Sequence, residues 1–272
     1  MIKKGLRFIA NRFGFDFIKT EKYRIGTRFR KKSSDPFLDY FETPNGNYYL
    51  PKNNNGDIVA NAMKEGRLFD EEIVNLAKRY IKPNTCIIDI GANFGQMAIE
   101  FSKIDRSCKV YAFEAQKMVF DILQKNIQSN NAENISAFYN AVYNQHNKDF
   151  LFPVPDLKRF PSYGSYGIDL NAEEGIAVKS ITIDSIDFDM PISFMKIDIQ
   201  GSDLAAMQGA VNTIKKHKMP IVFEYEEQFQ DEFNTTFQDY VEFVAGIGYK
   251  FVKTIQGINF LIVPKEYTGS PH

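Results

Sequence analysis

The fold is decided by one stretch of the chain, Ile87-Ile88-Asp89-Ile90-Gly91-Ala92-Asn93-Phe94-Gly95-Gln96. A short apolar run ends in an acid and then turns on two glycines, and the segment 97–103 behind it has the composition of a helix. A strand, a glycine turn and a helix start in this order place a nucleotide-like ligand at the carboxyl end of a strand in α/β proteins. Gly91 and Gly95 let the backbone approach a ligand that a Cβ atom would push away. Such turns are also common in plain strand-to-helix connections, so the rest of the chain has to decide.

The composition is that of a globular protein. The chain has 272 residues, of which 44% are hydrophobic and 25% are charged, enough for one large domain or for one domain with an extension. No apolar run approaches the roughly 18–20 residues that a membrane-spanning helix needs, and the basic start lacks the apolar core of a secretory signal. Cys86 and Cys108 flank predicted buried strands, which favours thiols in a reducing compartment. We therefore expect a cytoplasmic protein.

Charge is spread unevenly along the chain. Residues 1–32 hold eleven lysines and arginines against Asp16 and Glu21, so this basic arm carries +9 and the remainder −10 of the total of −1. Such an arm contacts anionic lipid, a nucleic acid or the acidic body of another subunit, or it is a solvated terminus. Aromatic residues between the basic ones favour a membrane surface. We expect no nucleic-acid partner and leave open peripheral contact with the inner membrane face and a homo-oligomer.

Strands and helices alternate through most of the chain. The predicted strands and helices of this part are 86–90, 95–103, 109–113, 117–129, 135–139, 194–197, 203–215, 221–225 and 236–246. This alternation implies a parallel, doubly wound sheet of the α/β class. Two further segments, 249–253 and 258–263, predict a closing antiparallel hairpin.

An extension precedes this sheet. Two aromatic runs flank Thr43-Pro44-Asn45-Gly46, and an Asn-Gly turn between such runs predicts a hairpin. Helices are expected over 58–64, with Asp57 as its N-cap, and over 70–80. We divide the chain into a basic arm with a hairpin extension, residues 1–56, and a main domain, residues 57–272.

Polar side chains follow two of the predicted strands. Glu114 ends the second strand, 25 residues after Asp89, where an acid can accept hydrogen bonds from both hydroxyls of a ribose. Asn140 ends the third strand, where a side chain can meet an adenine edge. A carboxylate that only caps a helix or faces solvent is the alternative for Glu114. Strand tips in one register around a nucleoside make a stronger case than the glycine turn alone.

These segments together resemble the FkbM-type family of S-adenosylmethionine-dependent methyltransferases. The matching segments are Ile88–Gly95, Phe113–Ala115, Asn140–Val142, Ile181–Ile186, Met195–Gly201, Ala206–Ala210 and Pro220–Glu224. The strings Asp-x-Gly-Ala-Asn-x-Gly and Lys-x-Asp-x-x-Gly, about 105 residues apart, are specific as a pair. The resemblance implies a Rossmann-like class I methyltransferase sheet, with parallel strands and a C-terminal antiparallel hairpin, and S-adenosylmethionine as cofactor. It also implies O-methylation of a sugar or polyketide hydroxyl.

The same resemblance assigns a cofactor site. The residues predicted to bind the cofactor are Phe69, Asp70, Asp89, Gly91, Ala92, Asn93, Gly95, Gln96, Glu114, Ala115, Asn140 and Ala141. Phe69 and Asp70 enter only because the family tends to carry an aromatic–acid pair before this helix. The chain departs from the family at Ala115, where Pro is usual, and at Gln200, where Glu is usual.

Three residues are predicted to be catalytic. Asp198 ends the strand 194–197 and is expected to act as base or to orient the base, with Glu224 at the end of the next strand as its partner. Lys196 points to the same face as Asp198 and can hold that carboxyl ionised; a lysine that is only salt-bridged is the alternative. We predict no metal, because Gln200 offers a hard cation only a neutral oxygen.

A loop over 161–167 interrupts the alternation on the side where acceptor-binding insertions usually lie. Tyrosines and serines suit a saccharide, which has hydroxyls at its edges and an apolar face. The predicted acceptor-binding residues are Tyr163, Ser165, Tyr166, Gln200 and Glu226. An ordinary flexible loop is the alternative.

The predicted function is therefore S-adenosylmethionine-dependent O-methylation of a sugar hydroxyl in a cell-surface glycan or related saccharide. The sequence leaves open whether the acceptor is free, lipid-linked or polymeric. Two other functions stay open: a methyltransferase-like scaffold that binds cofactor or glycan without turnover, and a nicotinamide-dependent oxidoreductase on a similar sheet.

Overall fold

A computed structural model describes residues 28–52, 56–158 and 161–268 of the chain. Most of the predicted basic arm lies outside the described residues. The strands are β1 Arg30–Lys31, β2 Leu38–Thr43, β3 Gly46–Pro51, β4 Cys86–Ile90, β5 Lys109–Glu114, β6 Ile135–Tyr139, β7 Ala141–Val142, β8 Asp149–Phe152, β9 Ile176–Ile181, β10 Ile192–Ile197, β11 Ile221–Glu224, β12 Tyr249–Ile255 and β13 Asn259–Pro264. The α-helices are α1 Ile58–Lys64, α2 Glu71–Ala77, α3 Gln96–Ile104, α4 Lys117–Ser129, α5 Asp203–Gln208, α6 Val211–His217, α7 Gln230–Phe233 and α8 Phe237–Gly246.

A seven-stranded sheet forms the centre of the molecule, with the strand order β12-β13-β11-β10-β4-β5-β6. The strands from β11 to β6 pair in parallel, and β13 is antiparallel to both β11 and β12. The central strands β4 and β10 are buried along their whole length, as expected for parallel strands covered on both faces. The predicted Rossmann-like sheet with a C-terminal antiparallel hairpin is confirmed.

Several elements match the sequence prediction residue for residue, and others differ. The bounds of β4, β6, α1 and α4 agree with the predicted segments, and the Asp57 side chain accepts the Ala60 N–H as the N-cap of α1. A single helix over 203–215 was wrong, because α5 and α6 are separated at Gly209. A Cβ atom on Gly209 would lie 2.2 Å from the Tyr143 carbonyl oxygen, so a crossing segment of chain requires glycine there. The helix expected over 70–80 is also shorter, Glu71–Ala77.

The N-terminal strands form a small antiparallel sheet, β1-β2-β3, that packs against α4. The Asn126 Oδ1 atom accepts the Tyr49 N–H at 2.6 Å, and the Asn130 Oδ1 atom accepts the Asn47 N–H at 2.9 Å. Residues of β2 and β3 also belong to the hydrophobic core that contains α3 and α4. The extension is thus tied to α4 by hydrogen bonds between its backbone and two asparagine side chains and by a shared core. The domain boundary at residue 56 stays a prediction.

A third sheet, β7-β9-β8, lies beyond the end of β6. Its small core consists of Ala141, Phe150, Phe152, Ile168 and Val178. Since Ile168 belongs to this core, the sheet supports the loop 161–168 from below. Among the helices of the three described ranges, none is long and apolar enough to span a membrane.

Candidate active site

A deep cavity opens at the carboxyl ends of β4, β5 and β10, beneath the loop 161–168. Counted together with its open mouth, the space between its walls is about 630 Å³. The predicted site residues that line it are Gly91, Asn93, Glu114, Ala115, Asn140, Ala141, Tyr163, Tyr166, Asp198 and Gln200. The sheet therefore brings together side chains from across the sequence at the edge where α/β proteins bind ligands.

A wider outer cleft adjoins this cavity. The predicted site residues that line it are Phe69, Asp70, Asn93, Ser165, Tyr166, Asp198, Gln200, Glu224 and Glu226. Asp198, Gln200, Asn93 and Tyr166 border both spaces. Asp198 thus lies where the cavity and the cleft adjoin.

The glycine turn after β4 is shaped by protein packing. Gly91 has φ +80°, and a Cβ atom there would lie 1.9 Å from the Asp198 carbonyl oxygen. At Gly95 the Cβ would meet the Leu123 side chain at 2.5 Å. The sequence interpretation, that both glycines make room for a ligand, was incomplete: neighbouring protein atoms already require them.

Four predicted cofactor residues line neither the cavity nor the outer cleft: Asp89, Ala92, Gly95 and Gln96. Asp89 is fully buried behind it, and Ala92 is packed into the core. The Gln96 side chain accepts the Phe69 N–H at 2.8 Å and donates to the Arg67 carbonyl at 2.9 Å. Gln96 thus fixes the segment that carries Phe69, so its role is indirect.

Phe69 and Asp70 border the outer cleft just before α2. Asp70 adopts a left-handed conformation, with φ +52°, which non-glycine residues use rarely and often at functional sites. Burial and then the nearby Asp198 raise the pKa of Asp70, and a hydrogen bond with Gln256 opposes this. Asp70 therefore lies near Asp198, one of the three residues predicted to be catalytic.

Glu114 is held rigidly at the end of β5. Its Oε2 atom accepts the Asn93 N–H at 2.9 Å and its Oε1 atom accepts the Gln116 N–H at 2.8 Å. Burial raises the pKa of Glu114 to about 7, although these backbone hydrogen bonds oppose the rise. A carboxylate fixed in this way can accept further hydrogen bonds from vicinal hydroxyls in the cavity.

Asn140 and Ala141 form the far side of the cavity, between β6 and β7. The Asn140 Nδ2 atom donates to the Lys179 carbonyl at 3.0 Å, which holds the side chain against β9. Ala115 and Val142 complete an apolar wall there. Such a wall beside a fixed amide suits a flat heterocycle.

A buried lysine lies beneath the mouth of the cavity. The Lys196 Nζ atom is 3.1 Å from Asp198 Oδ2 and 3.7 Å from Asp89 Oδ1, and it donates to the Gly91 carbonyl at 3.1 Å. Burial by itself would lower the pKa of the Lys196 ammonium. The two carboxylates outweigh burial, so the net effect is a raised pKa. Burial likewise raises the pKa of Asp89, to about 6, and Lys196 limits that rise. Lys196 is thus a buried cation that two acids share.

Asp198 and Glu224 stand side by side at the ends of β10 and β11. The Gln200 Nε2 atom donates to Asp198 Oδ1 at 3.2 Å and to Glu224 Oε2 at 2.9 Å. Burial raises the pKa of Asp198, but Lys196 outweighs burial and leaves that pKa below its usual range. Burial and the negative charge of Asp198 raise the pKa of Glu224. The directions of these two shifts favour a negative charge on Asp198 and a proton on Glu224.

Asp203 was not predicted as part of the site. It is fully buried at the start of α5, and its Oδ1 atom accepts the Glu224 N–H at 3.2 Å. Burial, and then Asp198, raise the pKa of Asp203 to about 7. In the sequence this acid at the start of a helix resembles an ordinary capping residue, so nothing marked it.

The loop over the cavity is anchored by one buried carboxylate. Asp57 Oδ1 accepts the Ala60 N–H, and Asp57 Oδ2 accepts the Tyr163 N–H at 2.9 Å. Tyr163 packs edge-on against Phe94, while the Tyr166 hydroxyl donates to the Asp156 carbonyl. The loop is therefore a fixed wall of the cavity.

Ser165 and Glu226 line the outer cleft only. Glu226 accepts a hydrogen bond from Gln228, and burial followed by the nearby Asp198 raises its pKa. The cleft also contains residues that were not predicted, namely Asp169, Gln228, Phe229, Glu232, Gln256 and Asn259. Within the described ranges, no group of three or more histidine, cysteine, aspartate or glutamate side chains is arranged to hold a metal ion.

The central sheet, its reversed strand β13 and a cavity at the carboxyl ends of β4 and β5 define a Rossmann-like methyltransferase fold. The Methyltransferase FkbM domain family matches residues 89–251, which is more than half of the chain. The chain belongs to this family, and it is an S-adenosylmethionine-dependent methyltransferase. The predicted family, fold class and cofactor are confirmed.

Several solved structures are similar to the chain at low sequence identity. They include the methyltransferase FkbM from Methylobacillus flagellatus KT, with 16% identity, a TM-score of 0.45 and coverage of 75% of this chain and 52% of that one. A TehB-like SAM-dependent methyltransferase from Corynebacterium glutamicum has 15% identity, a TM-score of 0.42 and coverage of 75% and 91%. TYW2 of M. jannaschii, in complex with AdoMet, has 14% identity, a TM-score of 0.40 and coverage of 87% and 89%. This chain thus spans about half the length of the Methylobacillus protein, and no curated protein matched.

Proposed function

We propose that the protein transfers the methyl group of S-adenosylmethionine to a hydroxyl of a sugar, in a cell-surface glycan or a related saccharide. The observation that carries this proposal is the position of Asp198. This carboxyl borders both the deep cavity and the outer cleft, and Lys196 keeps it ionised. A base at the junction of two spaces suits a transfer from a molecule in one to a molecule in the other.

The deep cavity is the proposed cofactor site. Glu114 would accept the ribose hydroxyls, and the turn that begins at Gly91 would lie along the methionine portion. Asn140 and Ala141 would border the adenine. S-Adenosylmethionine would supply a methyl group on a sulfonium, with the thioether sulfur as the leaving group that keeps the electron pair of the carbon–sulfur bond. The chain's own task is to hold, orient and desolvate the reactants.

Asp198 acts on the acceptor side. As the acceptor oxygen forms its new bond to carbon, its hydroxyl proton passes to the Asp198 carboxylate, which is the general base of the step. Glu224 is the neutral partner, since burial and the charge of Asp198 raise its pKa. Lys196 is a positioning residue, because its ammonium contacts Asp198 from behind and does not line either space.

The outer cleft supports a saccharide as acceptor. It presents hydroxyl, amide and carboxyl groups beside the aromatic rings of Tyr166 and Phe229, a combination that fits the polar edges and apolar faces of a sugar. Ser165, Gln200 and Glu226 remain the proposed acceptor-side residues. The family assignment favours this function over a nicotinamide-dependent oxidoreductase.

The setting of the reaction is also proposed. The acidic remainder and the basic arm of the chain suit a cytoplasmic protein that contacts the inner membrane face. There the acceptor would be a lipid-linked or polymeric saccharide. A homo-oligomer is compatible with the arm as well, and a nucleic-acid partner is not part of the proposal.

The test compares glycans from cells with and without the protein. Purified protein with S-adenosylmethionine labelled on the methyl group is incubated with glycan from the deficient strain. We expect label at a sugar oxygen, with Asp198→Asn reducing the rate at least about a hundredfold and the exposed control Asp121→Asn leaving it unchanged. Equal rates for Asp198→Asn and wild type, or label only outside sugars, would overturn the proposal. A scaffold without turnover would bind the labelled cofactor and release it unused.

A further inference from the structure

Gln200 occupies the point between the two carboxyl groups of the site. Its Nε2 atom donates to Asp198 Oδ1 at 3.2 Å and to Glu224 Oε2 at 2.9 Å. An amide nitrogen carries two hydrogens and no charge, so one donor serves each acid. Two neighbouring, partly buried carboxyls cannot both stay ionised without a counter-charge between them. Asp198 and Glu224 also hydrogen-bond to each other, and the amide beside them takes a place that a divalent cation would otherwise fill.

The two oxygens of the Asp198 carboxylate have different partners. Lys196 approaches Oδ2 at 3.1 Å, whereas Gln200 donates to Oδ1. Within the described residues, no lysine, arginine or histidine forms an ion pair with Glu224. Lys196 thus stabilises charge on Asp198 and not on Glu224, which favours a proton on Glu224.

The backbone fixes Gln200 in this position. Gln200 has φ +52°, a left-handed conformation that is uncommon for a residue with a side chain. Gly167 of the covering loop lies against it: a Cβ atom on Gly167 would be 3.0 Å from the Gln200 carbonyl oxygen and 3.2 Å from its Cβ. A strained conformation held by a neighbouring loop is typical of residues that a site requires in one orientation.

We propose that Gln200 is a positioning residue whose amide bridges Asp198 and Glu224, supports the negative charge that Lys196 holds on Asp198 and makes a cation between the two acids unnecessary. Gln200 was predicted from the sequence as an acceptor-binding residue. This assignment rests on the proposed role of Asp198 as base, but its test needs no acceptor. A direct consequence is that Gln200→Glu places a third carboxylate beside the other two, and such an oxygen set suits Mn²⁺ or Mg²⁺.

The first measurement is the affinity of the full chain for Mn²⁺ at pH 7.5. Binding is monitored through the electron paramagnetic resonance signal of the free ion. We expect Gln200→Glu to bind one Mn²⁺ at least about tenfold more tightly than the wild type, and Asp198→Asn in the Gln200→Glu background to abolish this gain. Two results would overturn the proposal. One is that the wild type itself binds Mn²⁺ and Asp198→Asn abolishes this binding. The other is that the wild type and a folded Gln200→Glu variant have equal affinities for Mn²⁺.

The second measurement remains decisive if Gln200→Glu does not fold. The carboxyl carbons are followed by ¹³C NMR against pH in the wild type and in Gln200→Met, which keeps the length of the side chain and removes its donors. The charged and titratable groups that act on Asp198 and Glu224, on the elements around them, are Asp70, Asp89, Lys196, Asp203 and Glu226. All of them stay in both proteins.

The two proteins should differ only in the Asp198–Glu224 pair. We expect the signal assigned to Asp198 by Asp198→Asn to titrate at least about one pH unit higher in Gln200→Met, since a hydrogen bond to its ionised form is lost. An unchanged titration would overturn the proposal. Failure to methylate any saccharide would change neither measurement, so the two proposals are separable.

Discussion

One buried ammonium serves two carboxylates at the base of the site: Lys196 Nζ lies 3.1 Å from Asp198 Oδ2 and 3.7 Å from Asp89 Oδ1. Replacing Lys196 by Met should lower the free energy of unfolding by about 3–5 kcal/mol, because it leaves buried negative charge without its partner. Adding Asp89→Asn should recover part of this loss, since the two changes are coupled. Urea unfolding at pH 7 measures both variants.

An exposed ion pair provides the control for this prediction. Lys253 lies 2.8 Å from Glu72 with both side chains largely exposed. Lys253→Met should change the free energy of unfolding by less than about 1 kcal/mol. If Lys196→Met and Lys253→Met lowered the free energy of unfolding by similar amounts, the buried position of Lys196 would not add to stability.

Cofactor affinity should depend on the ionisation of Glu114. Burial raises the pKa of this carboxyl to about 7, and the ionised form is the better acceptor for ribose hydroxyls. Affinity for S-adenosylmethionine should therefore rise about tenfold between pH 6 and pH 8, as the ionised fraction grows. Titration calorimetry of the wild type and Glu114→Gln measures this, and the variant should bind more weakly at pH 8, without that tenfold rise.

The same shift affects stability in the opposite direction. The folded pKa of Glu114 lies above the ordinary value of 4.5, so folding takes up a proton between about pH 4.5 and 7. Its contribution to stability is complete below this window and is lost as the pH rises through it. For the affinity prediction, the contradicting result is a Glu114→Gln variant whose affinity for S-adenosylmethionine still rises tenfold with pH. The titrating group would then be another residue, and Asp203 is the first candidate because burial raises its pKa to about 7.

Gly91 should tolerate no side chain. A Cβ atom there would meet the Asp198 carbonyl oxygen at 1.9 Å, at a φ of +80°, so Gly91→Ala should cost more than about 1 kcal/mol of stability. Gly246→Ala is the matched control, because nothing lies within 4 Å of its Cβ position at the end of α8. There the same change should stabilise the protein by about 0.4–1 kcal/mol. Thermal unfolding of both variants gives the sign of each effect.

Asp57 should link the stability of α1 to the order of the covering loop. Its two oxygens accept the Ala60 and Tyr163 N–H groups, so Asp57→Ala should cost about 1–2 kcal/mol and speed hydrogen exchange at Tyr163. Asp239 accepts the Thr236 N–H at the start of α8, and Asp239→Ala should have a comparable or smaller cost without changing exchange at Tyr163. Unchanged hydrogen exchange at Tyr163 in Asp57→Ala would contradict the prediction, because it would show that the helix cap and the loop are not coupled through Asp57.

The sheet could be predicted from the sequence because its signals are local. Apolar runs bounded by turn residues gave β4 and β6 their bounds, and a 3.6-residue period gave α4. The break between α5 and α6 was not predicted, and its contacts come from distant segments: the Gly209 carbonyl accepts the Asp184 N–H at 3.0 Å, and the Tyr143 carbonyl lies against Gly209. Contacts of that kind leave no mark in the sequence of the helix itself.

Which side chains line the candidate site was largely predictable, and the contacts they make were less so. Strand tips placed Glu114 and Asp198 at the same edge, as the parallel order requires. The structure adds that Asp89 lies behind the cavity and that Gln96 acts through Phe69. These differences follow from burial and from hydrogen bonds between distant segments, which spacing does not encode.

The most direct test of the account is a crystal structure of the protein with S-adenosylhomocysteine. The account predicts that both ribose hydroxyls lie within hydrogen-bond distance of Glu114 in the deep cavity, with the sulfur atom on the side of Asp198. A nucleoside bound in the outer cleft, or a ribose away from Glu114, would contradict it.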